Sequence, residues 1–144
     1  MRLTTSQQDY IKVIYELSGS GEGAHVSDIA DMLGVNKASA SVAMKALQQK
    51  KMVRRDSYRM VYLTAEGIRE AAYMAKKYET IKGFLTGVLR IDGATADTDA
   101  DAIEHVISVE TLCSLCRFTN RKCPGGCYMK TDTVPNRLTN AYHL

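Results

Sequence analysis

Apolar residues recur at intervals of three and four along much of the chain, which is the spacing of helices that bury one face. In the first such segment, Tyr10, Val13, Ile14 and Leu17 form the apolar stripe. The pattern predicts helices over residues 4–17, 28–33, 37–50, 64–90, about 96–108 and 109–120. Two short runs over residues 52–55 and 59–63 alternate as β-strands do, and they predict a hairpin between the third and fourth helices.

The predicted helix boundaries carry capping residues. Ser27 and Asn36 can each accept a hydrogen bond from the free N–H groups that begin the second and third helices. Gly34 is suited to end the second helix in a left-handed conformation, and Thr64 can cap the long helix. Residues 123–144 contain both prolines and predict an irregular tail.

This element order predicts a mainly α fold that begins with a winged helix-turn-helix, in which the third helix reads double-stranded DNA. The charge agrees, because residues 36–90 hold twelve basic and four acidic side chains, a net charge of +8. The side chains expected to contact DNA on the third helix and the basic hairpin are Asn36, Lys37, Ser39, Ser41, Val42, Lys45, Arg54, Arg55 and Arg59. Lys50 and Lys51 lie further along, where phosphates would run.

Several classes of protein are excluded by what the sequence lacks. No run reaches the roughly eighteen apolar residues of a membrane span, and the first residues have no apolar signal segment, so we expect a cytoplasmic protein with no membrane partner. No nucleophile, phosphate-binding glycine loop or substrate-cleft signature accompanies a candidate acid–base pair, so we expect neither an enzyme nor a small organic substrate.

Acidic residues concentrate in residues 91–112, which hold six acidic and no basic side chains. Asp101, Glu104 and His105 are three and four positions apart, so a helix would project them to one side. Two carboxylates and an imidazole suit Mn(II), Fe(II), Co(II) or Zn(II). Taken alone, such a triplet is more often a solvated helix face than a metal site.

Five short motifs extend the argument over residues 4–120. They are DYIKVIYEL at 9–17, VSDIA at 26–30, KAL at 45–47, LTAEG at 63–67 and EHVIS at 104–108. With them the chain resembles the metal-dependent repressors typified by the diphtheria toxin repressor and the manganese transport regulator. The most specific motif is EHVIS, at this distance after a winged helix.

The resemblance implies a homodimer that binds a palindromic operator once a divalent metal, Mn or Fe, is bound as effector. It implies metal ligands at Asp9, Asp101, Glu104 and His105, with the ion bridging the DNA-binding and dimerisation domains. The implied domains are 1–70 for DNA binding, 71–122 for metal binding and dimerisation, and 123–144 for a cysteine-containing tail.

Three positions depart from the pattern of the family that the chain resembles. Lys12 stands where the manganese type has a second carboxylate, Tyr78 where a histidine is usual, and Lys82 where the iron type has a glutamate. These departures predict one cation per subunit. Asp9 and Asp101 replace softer sulfur ligands of the iron type, which favours a harder ion such as Mn(II).

All four cysteines of the chain lie within fifteen residues, at Cys113, Cys116, Cys123 and Cys127. Four thiolates suit either a structural zinc ion or an iron–sulfur cluster, and the spacing is that of neither a standard ribbon nor a ferredoxin. The alternative function is therefore a metal-independent regulator, or one that responds to redox or iron–sulfur status through these cysteines.

Overall fold

The computed structural model describes residues 2–18 and 21–119. The helices are α1 (Thr5–Ser18), α2 (Val26–Leu33), α3 (Lys37–Gln49), α4 (Ala65–Gly87), α5 (Gly93–Ile103) and α6 (Val109–Phe118). The strands are β1 (Ala24–His25), β2 (Val53–Arg55) and β3 (Met60–Leu63). The mainly α fold with a small β-hairpin is confirmed. No helix among these residues is long and apolar enough to cross a membrane.

The chain divides into two compact units, the first ending at Glu79 and the second beginning at Thr80. In the first unit, α1 packs against α2, α3 and β3. The fully buried core side chains of this unit include Ile11, Ile14, Ile29, Met44, Leu47, Val53 and Val61. Their burial removes a large apolar area from water, which stabilises the packing of the helices on the sheet.

The predicted apolar faces are confirmed for α3 and only partly for α1. Met44 and Leu47 are fully buried, as the helical spacing predicts. On α1 the burial ends at Ile14, and Tyr15 and Leu17 remain exposed. The stripe therefore ends about one turn before α1 does.

The sheet has three antiparallel strands in the order β1–β3–β2. The two-residue β1 pairs Ala24 with Val61, and the β2–β3 hairpin pairs Val53 with Leu63. We call residues 53–63 the wing. The hairpin agrees with the alternation of apolar residues, and the two-residue β1 adds a third strand beside β3.

The helix caps of the helix-turn-helix agree with the sequence at two of three positions. Gly34 has φ 67° and ends α2, and the Asn36 side chain accepts a hydrogen bond from Ser39 N at 2.7 Å. The predicted cap at Ser27 is wrong, because α2 already begins at Val26 and follows His25, which makes no side-chain capping bond. Burial of Ile29 and Ala30 in the core stabilises this helix.

The start of α4 lies directly against the wing. Thr64 Oγ1 accepts a hydrogen bond from Gly67 N at 3.1 Å, which confirms the predicted cap. Thr64 N donates to the Met52 carbonyl at 3.0 Å. A Cβ on Gly67 would lie 2.2 Å from that carbonyl oxygen, so glycine is required for this approach. At its other end α4 stops at Gly87, three residues before the predicted end.

In the second unit, α5 begins and ends earlier than predicted. The Asp92 side chain accepts a hydrogen bond from Thr95 N at 3.1 Å and so starts the helix at Gly93. The helix ends at Ile103, because Ser108 caps a new helix and residues 104–107 form the connection. The unit packs through small and apolar side chains, and the Phe84 and Phe118 rings meet edge to face at 5.9 Å.

Candidate nucleic-acid interface and metal-binding residues

The N-terminal part of α3 presents short polar and apolar side chains to solvent. Asn36 is occupied as the cap, and Lys37 and Ser39 are exposed beside it. Val42 is 67% exposed one turn later, while Ser41 is half-buried. Lys45 is exposed one turn further along. A helix surface with small side chains at its start and lysines at both ends suits the major groove, where bases and phosphates are approached together.

Lys50 has a different environment from the other lysines near α3. Its Nζ donates to the Arg2 carbonyl at 3.0 Å and to Gln7 Oε1 at 2.7 Å. Gln7 belongs to a reciprocal cap in which its own N–H donates to Thr4 Oγ1. Lys50 therefore holds the segment before α1 against the end of α3.

The tip of the wing is organised by Asp56. Its Oδ1 accepts hydrogen bonds from Tyr58 N and Met60 N, both at 2.9 Å, and its Oδ2 accepts one from the Tyr62 hydroxyl at 3.1 Å. Arg59 lies in this turn with φ 63°, a left-handed conformation that non-glycine residues rarely adopt. Sequence reasoning did not assign Asp56 or Tyr62, although an aspartate before a turn of polar residues is a recognised turn signal.

Arg54 is held over the face of an aromatic ring. Its guanidinium carbon lies 4.1 Å from the centre of the Tyr62 ring, which is a cation–π contact. Arg59 is exposed and Arg55 is half-buried, so the three predicted arginines differ in accessibility. A guanidinium that is held in place loses less side-chain entropy when it binds an anion.

The geometry of the wing predicts a loss of order in acid. Desolvation acts to raise the pKa of Asp56. The hydrogen bonds from Met60, Tyr62 and Tyr58 and the positive charge of Arg54 outweigh it and hold the pKa below its ordinary value of 3.8. A lowered folded-state pKa stabilises the fold above pH 3.8, and this stabilisation is lost as the pH falls through the folded value.

The measurement is NMR of the Tyr58 and Met60 amides between pH 7 and pH 2.5. We expect both amides to shift and to exchange faster with solvent only below about pH 4. Asp56→Asn is expected to produce the same change at pH 7, whereas Asp31→Asn, on the exposed face of α2, is not. Unchanged wing amides in Asp56→Asn would contradict this role.

Glu104 and His105 lie together after the end of α5. Glu104 is 1% exposed, and its Oε1 lies 3.8 Å from Nε2 of His105. Asp101 is exposed on the last turn of α5. The three side chains that were expected to project to one side of a helix therefore differ in burial. An acidic oxygen and an imidazole nitrogen in a buried position are a donor set that suits a divalent transition metal.

The remaining predicted ligand of this kind is Asp9, which is half-buried on α1 in the first unit. Among residues 2–18 and 21–119, no three histidine, cysteine, aspartate or glutamate side chains converge in an arrangement that could hold a metal ion. Glu104 and His105 fit such an ion by their chemistry as a pair.

The three residues that depart from the expected pattern each have a partner. Lys12 Nζ lies 5.8 Å from the centre of the Tyr78 ring, within the first unit. Lys82 Nζ lies 2.5 Å from Asp97 Oδ1, within the second unit. Two cationic side chains thus occupy positions where the resemblance would place metal-binding groups.

The predicted cysteine site lies only half within the described residues. Cys113 and Cys116 are buried on α6, one helical turn apart. Cys123 and Cys127 lie outside the described residues. A site formed by all four cysteines stays a prediction.

Comparison with known proteins adds a second line of evidence. The family model of the iron dependent repressor N-terminal DNA binding domain matches residues 2–61, and that of the iron dependent repressor metal binding and dimerisation domain matches residues 64–128. The transcriptional regulator MntR of Escherichia coli O6:H1 is 31% identical over 113 residues, which is 78% of this chain and 72% of that protein.

Two solved structures share the fold. The hypothetical protein SSo2273 from Sulfolobus solfataricus is 26% identical with a TM-score of 0.69, and the match covers 86% of this chain and 96% of that one. The manganese regulator SloR is 28% identical with a TM-score of 0.70, and the match covers 86% of this chain and 58% of that one.

Proposed function

The chain belongs to the iron-dependent repressor family of metal-dependent transcriptional regulators, and we propose that it represses transcription by binding a palindromic operator as a homodimer when a divalent metal is bound. The family binds DNA and dimerises through the domain matched at residues 64–128. The observation that carries the proposal is the exposed start of α3 beside an arginine-bearing wing, in a chain that also matches a metal-binding domain.

The proposed division of labour on DNA follows from side-chain length and position. Ser39 and Val42 are short and exposed, so they allow α3 to approach base edges closely. Lys37 and Lys45 lie at the flanks of this surface and carry the charge that phosphates require. Arg54, held on Tyr62, contacts the backbone beside the groove.

The proposed metal ligands are Asp9, Asp101, Glu104 and His105. Of these, Glu104 is buried and lies against His105, so its negative charge is poorly solvated. A bound divalent cation supplies compensating positive charge to this carboxylate. The four residues come from both units of the chain. We propose that an ion bound by all four makes DNA affinity depend on metal occupancy.

Manganese or iron is the proposed effector. Among the solved relatives, SloR is described as a manganese regulator and ScaR as binding Zn²⁺. A ligand set rich in oxygen atoms favours Mn(II) over softer ions, so Mn(II) is the ion that we prefer for this chain. For the four cysteines we propose structural zinc, because the family comparisons give no support to an iron–sulfur cluster.

The test is selection of operator fragments from genomic DNA under anaerobic conditions. One arm contains Mn(II) or Fe(II), and the other contains a chelator. We expect fragments sharing one palindrome to be enriched only with metal. Equal enrichment in both arms would contradict metal control.

The matched variants for this test lie on α3. Val42→Glu places a negative charge on the exposed start of the helix and is expected to weaken operator binding at least about tenfold, by repulsion from phosphates. Gln49→Glu adds the same charge at the other end of the helix, and a much smaller effect is expected. Equal effects of the two variants would argue against α3 as the reading helix.

A further inference from the structure

A cleft of about 500 Å³ lies in the first unit, beside the wing. Its walls come from the end of α1, from Gly21 and Gly23 before β1, from the strands of the wing and from the first turn of α4. This volume is within the range of about 300–1,000 Å³ that small-molecule sites have. Neither the proposed metal ligands nor the proposed base-reading surface of α3 uses this cleft.

Four of the lining side chains are apolar or aromatic: Tyr15, Tyr62, Leu63 and Ile68. Tyr15 is 44% exposed and Ile68 is 48% exposed, so a ligand between them would remove apolar surface from water. Ile68 lies in the first turn of α4, at this opening. Tyrosine side chains from two different elements, α1 and β3, line the cleft, and their ring faces favour a flat aromatic ligand.

One lining side chain carries a positive charge. Arg54 stacks on Tyr62 at 4.1 Å, and its charge also acts on the Asp56 carboxylate that accepts the Tyr62 hydroxyl hydrogen bond, while no salt bridge to its guanidinium is formed by the described residues. The planar guanidinium binds a carboxylate through two parallel hydrogen bonds. Ser18 adds a hydroxyl that donates to the Ile14 carbonyl at 2.6 Å and keeps its lone pairs for a further donor.

The position of Arg54 in the cleft depends on the tyrosine beneath it. The Tyr62 hydroxyl is fixed by Asp56, and its ring lies against Gly23, where an added Cβ would be 2.7 Å from the ring. Gly23 also has φ 81°, a conformation that favours glycine. The ring and the guanidinium above it are therefore positioned before any ligand binds, which lowers the entropic cost of binding.

We propose that this cleft binds a small aromatic carboxylate, with the ring against the apolar and aromatic lining and the carboxylate on Arg54. The apolar walls exclude a simple inorganic anion as the best ligand, because such an ion would leave the surface of Tyr15 and Ile68 exposed to water. A carboxylate gains a bidentate, charge-assisted contact with Arg54 that a neutral arene cannot make.

A consequence for regulation rests on the proposed function. Arg54 is also the wing residue that we propose for contact with the DNA backbone. A carboxylate bound to its guanidinium takes the hydrogen bonds that a phosphate would receive, so the ligand and DNA compete. The ligand is therefore expected to weaken operator binding, and the operator is expected to weaken ligand binding by the same factor.

The first experiment measures ligand binding to the full chain without DNA, by calorimetry or by the fluorescence of the probe. The probe is 2-naphthoate, and 2-naphthamide is its neutral partner with the same rings. We expect saturable binding of naphthoate and at least about tenfold weaker binding of the amide, because one charge-assisted bidentate contact is lost. Absence of saturable binding, or equal binding of both probes, would overturn the proposal.

The variants separate the cleft from general charge effects. Arg54→Gln is expected to weaken naphthoate binding at least about tenfold. Arg55→Gln removes the same charge from the neighbouring residue, which does not line the cleft, and is expected to leave naphthoate binding unchanged. Ile68→Gln removes apolar wall and is expected to weaken both probes. Each variant is checked by its melting temperature. Unchanged naphthoate binding in both Arg54→Gln and Ile68→Gln would overturn the site.

The second experiment adds naphthoate to the metal-loaded protein bound to its operator. Release of DNA by naphthoate and not by naphthamide supports competition at Arg54. If the protein binds no operator with metal, the proposed function fails while the ligand result stands by itself. If naphthoate binds and DNA stays bound with unchanged affinity, the competition is overturned and the cleft is not.

Discussion

Exchange of Glu104 for glutamine is expected to remove most of the effect of metal on DNA binding. In the presence of Mn(II), we expect operator affinity to fall about a hundredfold, to the level measured with chelator. Glutamine keeps the shape of the buried side chain and removes the negative charge that would bind the ion. The measurement is operator affinity at fixed Mn(II) concentrations, together with direct titration of Mn(II) into the protein.

The same substitution is expected to have the opposite effect on the stability of the metal-free protein. Glu104 is 1% exposed, and an acidic side chain in that position is costly to desolvate. A neutral amide avoids this cost, so the variant should melt at the same temperature as the wild type in chelator, or at a higher one. Added Mn(II) should raise the melting temperature of the wild type and not that of the variant.

Glu110→Gln is the matched control, because Glu110 is exposed on the first turn of α6 in the same unit. It removes the same charge and is expected to leave metal-stimulated DNA binding unchanged. If Glu104→Gln kept the wild-type metal response, Glu104 would not be a metal ligand. If both variants lost the response, net charge and not coordination would be the cause.

The second large effect is expected from Gly67→Ala, which should destabilise the first unit. The new Cβ would lie 2.2 Å from the Met52 carbonyl oxygen, so α4 must move about 1 Å away from the wing to restore van der Waals contact. That carbonyl also accepts hydrogen bonds from Thr64 N and Thr64 Oγ1, so it is not free to yield. We expect a loss of about 3 kcal/mol, the upper part of the range for overpacked sites.

Urea unfolding measures the free energy and thermal unfolding measures the melting temperature, both followed by circular dichroism, and the melting temperature is expected to fall by roughly 10 °C. Gly87→Ala is the control, because it makes the same change at the other end of α4, where nothing lies within 4 Å of the new Cβ. Alanine is the better helix former, so a small gain of about 0.5 kcal/mol is expected there. A melting temperature for Gly67→Ala equal to that of Gly87→Ala would contradict the tight approach of α4 to the wing.

The sequence predicts α3 and the wing well because each boundary there is set by one local interaction. Asn36 caps α3, Gly34 ends α2, and the alternation of Val53, Val61 and Leu63 fixes the hairpin. These signals act over a few residues and do not depend on the rest of the chain. The family resemblance stated from five motifs is confirmed by the family models.

The second unit is predicted less well, since its helices bury small side chains. Ala96 and Ala100 are the buried residues of α5, and alanine spacing is a weak guide to where a helix begins or ends. The prediction therefore extends α5 across Glu104 and His105, whereas the structure ends it at Ile103. The cleft beside the wing could not be predicted, because its walls come from four segments that only the folded chain brings together.

The left-handed conformation of Arg59 has a consequence for laboratory evolution of this protein. An arginine held at φ 63° costs about 1 kcal/mol relative to glycine, which adopts that conformation without strain. A library screened only for thermal resistance should therefore enrich glycine at position 59. Such clones would lose a basic group at the tip of the wing. A screen for heat resistance alone would therefore favour variants that bind the operator more weakly.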